Sequence, residues 1–305
     1  MNPKLDLSVI LCTHNPRADF LRRTVDSLQA QTMPADRWEF LVIDNGSREP
    51  LEGRIDLSWH PRARVVREEK LGLTVARLRG ISEARADLLI FVDDDNVLNP
   101  DYLAVAARFG TEHPFLGAWG GASIGEFETP PPSWARPYLC YLAIREVPRT
   151  TWSNEYRYDL APIGAGLCIR LTVAATYSNL LATDSKRQAL GRQGTSLVSG
   201  EDSDMAFVAL ASGFGIGLCA ELSLRHLMPA GRLELVYLER LLEGIGFSSV
   251  IVFAFHGVNA ARSTKRSRVD RCLLAYRLWR QPVAVRRLEA ARARGEARAW
   301  AELTT

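Results

Sequence analysis

The chain has 305 residues, 47% hydrophobic and 24% charged, with a mean hydropathy of −0.07; these globular proportions exclude collagen-like, disordered and disulfide-stapled classes. The net charge of +3 conceals an asymmetry, because Arg262 to Thr305 holds 12 Lys and Arg against 4 Asp and Glu, net +8, leaving −5 for the rest. No apolar run reaches the ~18–20 residues that span a bilayer, Met1 to Asp6 lacks the blocks of a signal peptide, and five scattered cysteines without a CxxC pair point to a reduced, cytoplasmic chain.

Leu7 to Cys12 is a short apolar run that predicts a buried parallel strand. Asn15 and Pro16 then suit a helix cap and a first helical position, ahead of Phe20, Leu21, Val25 and Leu28 at helical spacing. Further strands are predicted over Glu39 to Ile43, near Arg64 to Val66, and over Asp87 to Val92, with a helix over Gly72 to Ala84. Repeated βα units imply a parallel sheet flanked by helices, and ligands of such sheets collect beyond the carboxyl ends of the strands. Thr13, Asp44 and the run Asp93-Asp94-Asp95 stand at those ends.

No glycine-rich dinucleotide or P-loop motif is present, so any phosphorylated ligand needs another means of neutralisation. Three consecutive carboxylates repel a diphosphate unless a divalent cation lies between them, and carboxylate oxygens are hard ligands for Mn²⁺ or Mg²⁺. The bland reading is a solvated acidic turn before Pro100.

The stretches Ser8 to Asn15, Val42 to Ser47, Gly72-Leu73 with Ala76-Arg77, Phe91 to Asn96 and Gly200 to Met205 occur in an order and spacing that resembles the family 2 glycosyltransferases of GT-A fold. The resemblance covers about residues 6 to 227. It implies an inverting, metal-dependent transfer of a sugar from a nucleotide-diphosphate donor to an acceptor hydroxyl, in polysaccharide or glycolipid biosynthesis. Carried onto this chain, it implies that Thr13 and Asp44 contact the donor base, and that Arg77 neutralises the pyrophosphate or braces the acidic cluster. Asp93 and Asp94 would lie on the donor, Asp94 at the ribose hydroxyls, and Asp95 would ligate Mn²⁺ or Mg²⁺; the DxD reads either as Asp93 with Asp95 or as the pair Asp94-Asp95. Asp202 is implied as the general base and Glu201 as its acceptor-side neighbour, while His226 falls where similar enzymes place a histidine near the metal.

Pro130 to Pro132 with Trp134 make a stiff aromatic loop, and Gly164 to Gly166 permits close backbone approach; in similar enzymes this stretch borders the acceptor, so Trp134 and Gly164 are expected on that side. Asp184 to Ser199 reads as a polar lid. The expected division is a GT-A domain over 1–230, with a nucleotide-sugar half at about 1–120 and an acceptor half at about 121–230, followed by a basic helical region over 231–305. Within that region helices are predicted over Leu233 to Leu242, Leu273 to Trp279 and Val285 to Trp300. Arg271, Arg277 and Arg280 interleave with Leu273, Leu274, Leu278 and Trp279, a pattern that suits peripheral association with an anionic membrane face and a saccharide or lipid-linked acceptor; a solvated or packing helix gives the same composition. Nucleic acid is not an expected partner, since the body is acidic.

Other classes remain to be weighed. Phe91 to Leu98 also fits the hhhhDxDxV signature of a haloacid-dehalogenase-like phosphohydrolase, although that motif belongs on a first strand and three precede it here. A sugar-1-phosphate nucleotidyltransferase would carry a glycine-rich basic loop where this chain has His14-Asn15-Pro16. A catalytically inactive nucleotide-sugar-binding protein is the non-enzyme alternative, and the carboxylates at Asp95 and Asp202 stand against it.

Overall fold

A computed structural model describes residues 5–194, 196–258 and 280–304. In chain order the elements are β1 (Leu7–Thr13), α1 (Ala18–Gln29), β2 (Trp38–Asp44), β3 (Ala63–Arg67), α2 (Leu73–Glu83), β4 (Leu88–Asp93), β5 (Asn96–Leu98), α3 (Tyr102–Glu112), β6 (Leu116–Phe127), β7 (Thr151–Ser153), β8 (Cys168–Arg170), α4 (Leu171–Thr183), α5 (Ser185–Gln188), α6 (Glu201–Ala211), β9 (Gly215–Met228), α7 (Leu235–Phe255) and α8 (Val283–Thr304).

β1 and β2 are buried along their whole length, which is why their apolar runs are nearly continuous. The two-residue pleat sorts their side chains onto two cores. Val9, Leu11, Phe40, Val42, Ile90 and Val92 pack with α1 and α3; Ile10, Cys12, Leu41, Ile43, Leu89 and Phe91 pack with α2, α4 and α6. The sheet runs β3-β2-β1-β4-β8-β6-β9-β5, with β7 also paired to β9. The first four strands are parallel, and β8 enters antiparallel beside β4. The expected α/β architecture, a sheet flanked by helices, is what the chain adopts, with the expected parallel pairing over β3-β2-β1-β4 and a mixture of parallel and antiparallel pairs beyond it. The polar residues inside β1 and β2 are paired: the Ser8 hydroxyl donates to Glu39 at 2.7 Å, and Arg64 and the Arg85 amide donate to the same carboxylate at 2.9 and 2.6 Å.

Three local expectations change. Asn15 does not cap α1; it sits at φ +48, its carboxamide oxygen accepts from the Arg48 amide at 2.9 Å, and its own amide donates to Ser47. Its side chain is spent tying the end of β1 to the loop after β2, so α1 starts at Ala18. The segment read as a polar lid contains α5, capped by Asp184 and pinned where buried Arg187 meets Asp204 at 2.7 Å. The helix predicted over Leu233 to Leu242 continues to Phe255, because Gly244 and Gly246 serve close packing and do not end it.

That close packing is with α8. A Cβ on Gly295 would lie 1.9 Å from the Glu243 carbonyl oxygen, and one on Gly246 would lie 2.3 Å from that of Arg292. Val250, Ile251 and Val252 of α7 and Ala299 of α8 join the same core as α4 and α6. The arginines of α8 are partly engaged across the seam, Arg287 with Glu239 at 2.5 Å and Arg294 with Glu243 at 3.1 Å. The helix predicted over Leu273 to Trp279, and with it the amphipathic stretch apart from Arg280, lies outside the described residues. No helix among the described residues is long and apolar enough to cross a membrane.

The seam yields a test in which two effects have opposite signs. Helix propensity alone makes Gly295→Ala stabilising by up to ~1 kcal/mol, whereas main-chain overlap makes it destabilising by about 1–3 kcal/mol. We expect the second in urea unfolding, with Gly231→Ala near neutral because open space surrounds that position.

Candidate active site

The parallel strands β1, β2 and β4 end at one edge, and the loops beyond them open onto a cleft of about 1000 Å³. Thr13, His14 and Asn45 come from the first two ends, Asp93 to Asp95 from the turn after β4, and Arg77 from the face of α2 that packs on the sheet. Asn45 laces this edge together. Its carboxamide donates to the Lys70 carbonyl at 2.7 Å and accepts from the Gly72 amide at 2.8 Å, which fixes the approach to α2. The His14 ring donates from Nδ1 to the Asn45 carbonyl at 2.7 Å, leaving Nε2 to accept from Asn15.

Arg77 is 2% exposed. Its guanidinium pairs with Glu201 at 3.1 Å and Asp93 at 3.5 Å, joining the end of β4 to the first residue of α6. Burial works to lower its pKa, but Glu201, Asp93 and Asp202 outweigh this and hold it above its ordinary value. Glu201 is pushed upward by burial against the pull of Arg77. Gly164 packs directly on the guanidinium, where a Cβ would come within 2.3 Å of Nη2. The Gly164 amide donates to Asp202 at 2.8 Å, and the Ser203 amide holds the other carboxylate oxygen at 2.7 Å. Asp202 thus enters the cleft in a fixed orientation at the N-terminus of α6.

The acidic cluster is divided by environment. Thr13 donates to Asp94, whose pKa is pushed up to about 7, chiefly by burial and then by repulsion from Asp95. Asp95 goes the other way: burial would raise it, but His226 at 3.2 Å and Arg232 at 3.2 Å hold it below the usual carboxylate range. Asp95 and His226 therefore stand in direct contact at the cleft, an oxygen and a nitrogen donor side by side. Among the described residues no group of three His, Cys, Asp or Glu makes a protein-only metal cage. One carboxylate and one imidazole are a partial donor set, which the phosphate oxygens of a ligand would complete around a divalent cation.

Two expected site residues lie elsewhere. Asp44 is fully buried behind the cleft, and its carboxylate is consumed by the Ser47 and Leu51 amides at 3.0 and 3.1 Å and by Arg67 at 2.8 Å; it closes the loop after β2, and Asn45 takes the cleft-facing position. Trp134 packs on the cluster of Tyr138, Leu142, Leu233 and Leu288 and is not part of the cleft wall. Conversely, Arg145 and Arg232 line the cleft without any local signal in the sequence, and Arg192 reaches it from the segment read as a lid. Tyr141 and Ser249, and Arg292 and Glu296 of α8, extend its far wall.

The family model described as Glycosyl transferase family 2 matches residues 8–166. The chain is 30% identical over 98 residues to the putative glycosyltransferase EpsH of Bacillus subtilis (strain 168), covering 32% of this chain and 28% of that one. It is 37% identical over 110 residues to validoxylamine A glucosyltransferase of Streptomyces hygroscopicus subsp. jinggangensis (strain 5008), covering 34% and 26%. These matches span little more than a quarter of either relative. Among solved structures, S. aureus TarS 1–349 aligns with a TM-score of 0.52 at 17% identity, covering 96% of this chain and 88% of that one. The mannosyltransferase PcManGT from Pyrobaculum calidifontis, in complex with GDP-Man and Mn²⁺, aligns with a TM-score of 0.60 at 16% identity over 98% and 88%. At these identities the likeness concerns the fold.

Removing the bridge should be costly. Arg77→Met strands Glu201 as a buried, unpaired charge, and we expect a loss of about 3–5 kcal/mol in urea unfolding. Adding Glu201→Gln should restore a large part of it. A single variant as stable as the wild type would show that the bridge does not hold α6 to the sheet.

Proposed function

The chain belongs to glycosyl transferase family 2, and on that premise we propose that it moves a sugar from a nucleoside-diphosphate donor to an acceptor hydroxyl with inversion at the anomeric carbon. The observation that carries this reading is a single cleft lined both by the Asp93–Asp95 cluster and by Asp202, the two sides joined through Arg77. The GDP-Man and Mn²⁺ of the mannosyltransferase neighbour are consistent with such a donor.

In this proposal the nucleoside lies against Thr13, His14 and Asn45, where the fixed His14 ring offers an aromatic face. Asp94 accepts from the ribose hydroxyls. Arg192 and Arg232 meet the diphosphate: Arg192 has a buried Nε without a partner, and Arg232 exchanges Asp95 for phosphate oxygens. A divalent cation, Mn²⁺ or Mg²⁺, would be held by Asp95 and His226 and would supply charge neutralisation to the departing diphosphate. Asp202, oriented by the Gly164 and Ser203 amides, takes the acceptor proton as that oxygen attacks the anomeric carbon. One base and one displacement invert the centre without a covalent intermediate. Glu201 acts through Arg77 and keeps α6 in register with the sheet. The acceptor is a saccharide or a lipid-linked sugar, and the site of action is the cytoplasm or the cytoplasmic face of a membrane, reached through the basic C-terminal region.

Incubation with a panel of nucleotide sugars, with Mn²⁺ and with a chelator, tests the reading through donor hydrolysis and transfer. Asp202→Asn preserves shape and should lower turnover by at least ~10²-fold with donor affinity nearly unchanged. Turnover within threefold of wild type would remove Asp202 from the base role. Asp95→Ala should abolish the metal dependence of donor binding in calorimetry, and an unchanged metal-dependent affinity would count against the assignment.

A further inference from the structure

We propose that the cleft beyond Asp202 is an acceptor subsite for an anionic group, a phosphate borne by the acceptor, and that Arg145 is the residue that binds it. This rests on the transferase reading above and adds the chemical class of the acceptor.

The cations of the cleft are balanced in different ways. Arg77 has Glu201 and Asp93, Arg232 has Asp95, and Arg292 has Glu289 and Glu296. Arg192 exerts its field on Asp95 and Glu201, which assigns it to the donor side. Arg145, like Arg192, lacks a carboxylate partner among the described residues, and the carboxylate fields that reach it are those of Asp202 and Asp159. Its guanidinium donates to the Ala161 carbonyl at 2.7 Å and to that of Tyr158 at 3.5 Å, and among the described residues no carboxylate lies within 4 Å of it. The carboxylates whose fields reach it are otherwise occupied. Asp202 accepts from the Gly164 and Ser203 amides, and Asp159 is gripped by Arg157 at 2.5 and 3.1 Å.

Main-chain carbonyls orient a guanidinium but do not neutralise it, and a largely desolvated cation without a counter-charge is costly. Burial, the largest influence, lowers the pKa of Arg145, and the fields of Asp202 and Asp159 only partly oppose it. The fork is held in place with donors unspent, which is the arrangement that binds a planar or tetrahedral oxyanion. The surroundings have the character of a ligand site. Tyr141 and Tyr158 offer rings, Ser249 and Glu296 offer polar edges, and the cleft volume of about 1000 Å³ lies at the upper end for a single small ligand. A neutral sugar would fill this space but leave Arg145 uncompensated. An acceptor that bears a phosphate compensates Arg145 while presenting a hydroxyl to Asp202.

The test is calorimetry on the full chain with the donor site filled by UDP or GDP and Mn²⁺, whichever binds, using glucose, glucose 6-phosphate and farnesyl phosphate as probes. At least one phosphate should bind about tenfold or more tightly than glucose, and Arg145→Gln should erase that preference while leaving nucleotide affinity within twofold. Arg145→Lys, which keeps the charge and loses the fork, should retain part of it. A stronger response to glucose 6-phosphate assigns a soluble sugar phosphate, and a stronger response to farnesyl phosphate assigns a lipid-borne one. Intact nucleotide binding with equal affinity for glucose and both phosphates would overturn this inference alone, and it needs no variant to read. Phosphate preference that survives Arg145→Gln would overturn it as well. Failure of every nucleotide to bind would overturn the transfer reading, and this inference with it.

Discussion

A single guanidinium holds the two halves of the site in register. Arg77 leaves α2 under the sheet, reaches Asp93 at the end of β4 and Glu201 at the start of α6, and fills the space that Gly164 leaves open. Its burial would be prohibitive without both carboxylates, and Glu201 would be equally costly without Arg77. The mutual requirement fixes where α6 begins relative to the sheet edge. Asp202, one residue further on, inherits its position, and the Gly164 amide reads out the same placement by donating to its carboxylate. In the proposed transfer, structural charge and chemical charge are therefore adjacent in sequence but divided in labour.

The parts of the site that were legible in the sequence are those whose position follows from local pattern. Apolar runs set β1 and β4, so Thr13 and the Asp93–Asp95 cluster had to stand at strand ends; Asp202 is implied by the resemblance of Gly200 to Met205 to a family motif, since acids in a first helical turn are common on their own. Asp44 misleads for a physical reason. The same Asp-Asn-Gly turn that ends β2 also needs a carboxylate to satisfy the Ser47 and Leu51 amides, and that demand turns the side chain away from the cleft. Trp134 sits in a proline-rich loop whose surroundings are supplied by α7 and α8, a hundred residues and more away. Arg145 and Arg232 carry no local signal, and Arg192 only that of the segment read as a lid, because what makes each one matter is the set of carboxylates that does or does not reach it in three dimensions.

The C-terminal helices also change meaning once folded. Read as composition, their arginines suggest a free basic surface. In the structure Arg287 and Arg294 reach back to Glu239 and Glu243, while Arg292 and Glu296 face the cleft. Basic residues on one helix thus perform two tasks, clamping α8 to α7 and shaping the chamber opposite the sheet.

The glycine seam between those helices has an architectural consequence. With Gly246 and Gly295 pressing main chain on main chain, the distance between α7 and α8 is set by backbone thickness and is insensitive to neighbouring side chains. The chamber wall therefore behaves as a rigid frame carrying interchangeable panels. Side chains such as Arg292 and Glu296 project from this frame into the chamber, while Arg77 anchors the sheet edge through separate contacts. Under the proposed transfer, such a division lets the chamber wall vary in sequence while the contacts that hold Asp93 and Asp202 stay the same.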